Sequence, residues 1–112
     1  MAGLVFAAIA PHGVALIPEL SADAAGALAT RTACIELGRR CAAQQPDVIV
    51  VATPHGTRVD GAICLAAAAH AFGTLHWQAR TIEMHLPLDP TFTDTLHSVA
   101  RARNIPMVRA SF

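Results

Sequence analysis

Two uninterrupted apolar runs, Leu4 to Ala10 (LVFAAIA) and Asp47 to Thr53 (DVIVVAT), constrain this chain more than any other feature. Hydrophobicity that is continuous rather than alternating predicts strands buried on both faces, as in a parallel sheet. The second run is rich in β-branched residues and bracketed by Pro46 and Pro54, which mark its ends. Between the runs, Ser21 to about Gln44 reads as a helix. Ala24, Leu28, Ile35 and Ala42 share one face, Ser21 is placed as N-cap, and Asp23 sits where the helix dipole favours negative charge. Gly26 and Gly38 are costly inside a helix, so close packing against a sheet is expected there. Strand, helix, strand is a βαβ unit with parallel strands and a right-handed crossover. The fold class expected is α/β: a mainly parallel sheet with flanking helices, opening on βαβ.

The rest of the chain continues in the same style. Thr57 to Gly61 is a turn that holds Asp60. Ala62 to Ala69 reads as a third strand, Gly73 to Trp77 as loop or a short edge segment, Arg80 to His85 as a further strand and Leu86 to Pro90 as loop. Asp89 is placed to cap a helix from Pro90 to about Arg103, with Phe92, Leu96 and Val99 as its apolar face. Met107 and Val108 begin a last strand just before the chain stops. A length of 112 residues suits a single α/β domain over 1–112. A buried parallel strand so near the terminus points to an incomplete domain, finished by a further segment or a second chain.

Composition narrows the function classes. Hydrophobic residues make up 54%, and eight Arg balance eight acidic residues, which excludes a disordered, highly charged chain. With no basic patch and few aromatics, nucleic acid is not an expected partner. The first ten residues lack the basic start of a signal peptide, and no apolar run approaches the roughly 20 residues that span a bilayer. The expectation is a cytoplasmic protein. Cys34, Cys41 and Cys64 show no metal-binding spacing, which reads as buried free thiols in a reducing compartment.

The chemistry lies where the two apolar runs end. Ala8 to Gly13 reads AIAPHG and Val51 to Gly56 reads VATPHG, so each run closes on Pro-His-Gly. In a βαβ unit both His12 and His55 would leave the carboxyl ends of neighbouring parallel strands, where open α/β sheets bind ligands. Each Pro fixes where its strand stops, and each Gly lets a metal or substrate approach the backbone. Two imidazoles with a carboxylate and open positions form the facial triad of non-haem Fe(II) oxygenases. His12 and His55 are therefore the candidate metal ligands. His70, His76, His85 and His97 share no such pattern and are read as structural or exposed. Glu19 either orients a ligand or opens the helix, and Trp77 is read as a packing residue.

The order of a strand ending in Pro-His-Gly, Pro18-Glu19 before a long helix, Pro46-Asp47, an apolar strand and Thr53-Pro54-His55-Gly56 resembles the catalytic subunit of class III extradiol ring-cleavage dioxygenases, the protocatechuate 4,5-dioxygenase type. The matching stretches are 8–20 and 46–56, within the first part of a typical member. The resemblance implies Fe(II), with Zn less favoured, held by His12 and His55. It also implies a catechol-type substrate cleaved beside its two hydroxyls with O2. The family's Glu ligand and acid–base His lie later in its chains and have no counterpart here. A homo-oligomer, or a second chain that completes the domain, is the expected assembly. Two alternatives stay open: a non-catalytic relative of the same fold acting by binding, and a hydrolase with a two-His zinc site.

Overall fold

The computed structural model describes residues 3–23 and 25–111. Its contacts divide the chain into two compact units. One comprises the described residues up to 49 together with 74–83. The other comprises 50–73 and 84 onward.

In the first unit a short 3-10 helix, Val14–Leu16, precedes helix α1, Leu28–Ala43. The helix starts later than the sequence predicts, because Ser21 and Asp23 satisfy polar groups locally. The Ser21 hydroxyl donates to the Asp23 carbonyl, and the Asp23 carboxylate accepts from the Ala25 amide. Such bonds offer the backbone an alternative to helix. Ser21 is thus a turn residue rather than the N-cap, a position taken by Ala27 in the left-handed region at φ 56°. Ala24, expected on the helical face, lies outside the described residues. At its other end α1 stops before Pro46, through Gln45 at φ 48°.

The expected apolar face of α1 is not its buried face. Leu28, Ile35 and Ala42 are exposed, Ile35 at 74%, whereas Arg31 is only 7% exposed. Nor do the two glycines mark a close approach to a sheet. Gly38 has open space around it, and Gly26, outside the helix, abuts the Asp23 carboxylate. The centre of this unit is Leu20, fully buried.

The second unit carries the parallel pairing. Strand β1, Ile63–Ala66, pairs in parallel with the last strand, β4, Met107–Ala110, with Ile63 opposite Met107. Helix α2, Pro90–Ala102, lies between them in sequence and packs on both. Its start follows the sequence reading: the Asp89 carboxylate accepts from the Phe92 amide at 2.9 Å, and Pro90 opens the helix. The inward line runs Thr93, Leu96, His97 and Ala100, so the expected Phe92 and Val99 lie more exposed than the small Ala100, which lets the helix approach the sheet. Arg109 of β4 pairs with Asp94 of α2 at 3.1 Å. Before β1, Gly61 at φ 75° and the bond from the Ala62 amide to the Val59 carbonyl make the expected turn.

Strands β2, His70–Trp77, and β3, Arg80–Pro87, form a two-stranded sheet. Gly73 to Trp77, expected as loop or a short edge segment, is therefore part of a strand. Gln78 at φ 53° supplies the left-handed residue that a two-residue hairpin loop needs. The hairpin is amphipathic: Leu75, Trp77, Ile82, Met84 and Leu86 alternate with polar neighbours. Trp77, read as a packing residue, is 47% exposed.

The α/β class holds, with one parallel and one antiparallel strand pair and two helices, but the opening βαβ does not form as expected. Residues 4–10 and 47–53 carry neither helix nor strand. An apolar run becomes a strand only when a neighbour takes its backbone hydrogen bonds and a layer covers its side chains. Here Ile9 is fully exposed and Val51 is 76% exposed. The three cysteines are free thiols and half-buried rather than buried. Among the described residues no helix is long and apolar enough to cross a membrane.

Candidate metal centre

His12 lies in the first unit, exposed, immediately before the 3-10 helix. Gly13 separates the two at φ 146° and ψ 158°, a region essentially restricted to glycine. The sequence thus uses Gly13 to turn the chain directly after the imidazole. The turn is held from α1. Arg31 Nε donates to the Ala15 carbonyl at 2.8 Å, and its terminal nitrogen donates to the Asp23 carbonyl at 3.1 Å. A buried guanidinium is stable only with its donors satisfied, and these carbonyls anchor both ends of the 13–23 loop. Arg80 adds a bond to the Ser21 carbonyl at 3.1 Å. Glu19 is exposed in this loop, its carbonyl facing Arg80 at 3.4 Å.

His55 lies in the second unit, exposed, in a turn after Pro54. Its amide donates to the Thr53 hydroxyl at 3.2 Å. This side-chain turn does at His55 what the glycine conformation does at His12. Each histidine is therefore positioned by its own local device, in its own unit.

Of the remaining histidines, read as structural or exposed, His70, His76 and His85 are exposed and His97 is half-buried on α2. His76 meets the Thr81 hydroxyl at 2.8 Å across the hairpin. His70 and His85 have ring centroids 5.0 Å apart, and Phe72 meets His85 edge-on at 6.4 Å. Reading these histidines one at a time missed that pair. Period-two alternation through 70–77 and 80–87 was the available signal. Arg31 was missed too, although a lone cation inside an apolar helical stretch marks a candidate anchor.

Among the described residues, no three or more His, Cys, Asp or Glu side chains converge so as to hold a metal ion. Imidazole donors suit iron or zinc, but a facial triad needs a carboxylate as well. The described residues do not assemble that donor set.

The chain belongs to the family described as the catalytic LigB subunit of aromatic ring-opening dioxygenase, whose model matches residues 7–111 and so includes both Pro-His-Gly segments. It is similar to "Protein CA_C1420" of Clostridium acetobutylicum, at 26% identity over 103 residues, covering 90% of this chain and 22% of that protein. The chain thus spans less than a quarter of the length of the curated relative it matches. No solved structure matches it.

Proposed function

We propose that this chain carries the two-imidazole half of the metal centre of an extradiol dioxygenase, with His12 and His55 binding Fe(II) in preference to Zn. The observation that carries the reading is the repeated Pro-His-Gly inside a family match that includes both copies. The local geometry supports it: Gly13 and the Thr53 turn each fix the backbone beside an exposed imidazole. The missing carboxylate and the acid–base group come from polypeptide outside these residues, either a further segment or a second chain, which includes another copy in a homo-oligomer. The exposed apolar residues of segments 4–10 and 47–53 are surface that such polypeptide would cover. The substrates are a catechol-type ring and O2. The iron, when bound, supplies the site at which the two meet. The chain's own part is to present two imidazoles from backbone that is already turned.

Metal analysis of protein purified without oxygen tests this. Iron is expected in the parent chain, most of it lost in His12→Ala and in His55→Ala, and retained in His97→Ala. Equal metal content in all three variants would overturn the assignment. A parent chain that takes up no metal would favour the non-catalytic relative.

A further inference from the structure

The polar face of the β2–β3 hairpin carries a second pair of imidazoles, separate from His12 and His55. A two-residue loop at 78–79 sets Phe72 across from His85 and His70 one diagonal step along, within reach of long or aromatic side chains. The register is pinned beyond the pair by the bond from the Leu88 amide to the Ala69 carbonyl at 2.9 Å. The His70 and His85 rings lie 5.0 Å apart between centroids, tilted by 37°. With metal–nitrogen bonds of about 2.0–2.1 Å, two imidazoles on one ion place their centroids about 4.5 Å apart at a right angle and about 5.2 Å apart at a tetrahedral angle. The observed separation falls between these values. Both rings are exposed, so an ion can reach them and water can complete its shell. Phe72 lies edge-on to His85, its ring centroid 6.4 Å away.

We propose that His70 and His85 chelate a divalent cation of the kind that favours imidazole, with Zn2+ as the probe, and so clamp the open end of the hairpin. This site needs no carboxylate and no other chain, which separates it from the centre proposed for His12 and His55.

The test is a calorimetric Zn2+ titration of the full chain carrying His12→Ala and His55→Ala, so that only other sites report. One bound equivalent is expected. Adding His70→Ala or His85→Ala should weaken it at least about tenfold, since a chelate gains from the high effective concentration of its second ligand. Adding His76→Ala should leave it unchanged. Side-chain NMR of the unsubstituted chain gives a readout that does not depend on how the variants fold: the His70 and His85 ring protons should shift together, at one Zn2+ concentration. Absence of binding in the double variant, undiminished affinity without either imidazole, or separate titration of the two rings would each overturn the proposal.

Discussion

Arg31 Nε and the Ala15 carbonyl lie 2.8 Å apart, so a cation in the first turns of α1 fixes the backbone three residues beyond His12. Hydrogen bonds from charged donors contribute about 1.5–3 kcal/mol. Arg31→Met removes the donors while keeping much of the volume. The amides of Leu16 and Ile17, which bond to Gly13 and Val14, should then exchange with deuterium markedly faster, while amides of α2 keep their rates. Unchanged exchange at Leu16 and Ile17 would show that the 3-10 helix holds without its anchor.

Gly13→Ala tests the turn itself. Nothing lies within 4 Å of a Cβ built there, so any cost is conformational rather than steric crowding by neighbours. A residue forced into this glycine-only region costs about 1–3 kcal/mol. The urea midpoint should fall accordingly. Gly38→Ala, also in open space but inside α1, should instead raise it, by roughly 0.5–1 kcal/mol of stability. Opposite signs are expected, and equal effects would contradict the backbone argument.

Asp89→Ala removes the acceptor for the Phe92 amide and should cost about 1 kcal/mol. Asp89→Asn, which keeps an acceptor, should recover most of this. Helical circular dichroism during a urea melt distinguishes the three proteins.

On α1, Arg39 and Arg40 bond to the Glu36 carboxylate at 2.7 and 2.8 Å. These bonds hold it down at about 2, against an ordinary value of 4.5. A carboxyl depressed in the folded state stabilises the fold above its unfolded value and loses that contribution as pH falls through the folded one. The change should therefore appear between pH 4.5 and 2. It should be small, because the groups face solvent, and it should shrink in high salt. In Glu36→Gln that part of the acid dependence should vanish, as read by helix content against pH.

Supplied with Fe(II), a catechol and oxygen, the chain by itself should consume little or no oxygen. Addition of the polypeptide that brings a carboxylate and a base should restore turnover. An oxygen electrode reads both outcomes, and robust turnover by the chain alone would mean that a group such as Glu19 completes the donor set.

The elements legible in the sequence were those whose cause is local. Asp89, Pro90 and the spacing after them predicted α2 nearly to its ends. The runs at β1 and β4 were readable as strands, but their long-range pairing with each other was not. The apolar runs at 4–10 and 47–53 reported a preference for burial without naming what would bury them, and the structure provides no ladder there. The late start of α1 turned on side-chain bonds at Ser21 and Asp23, which compete with the helix by small margins that spacing does not reveal. At the candidate centre, the residue types His12 and His55 were readable. Their local supports, a guanidinium from α1 and a hydroxyl at Thr53, were not, because neither follows a periodic pattern.

The pairing of β1 with β4 carries a kinetic consequence. Ile63 meets Met107 across 43 intervening residues, so the contact closes a long loop before it yields any reward. The hairpin and α2 lie inside that interval. Both can form from near neighbours in microseconds or less, and once formed they shorten the span of chain still free to wander. The rate at which β4 docks should therefore depend on the hairpin turn and the Asp89 cap, residues that touch neither strand. A weakened cap would delay the last strand's arrival, leaving the edge of β1 open for longer to strands from other molecules.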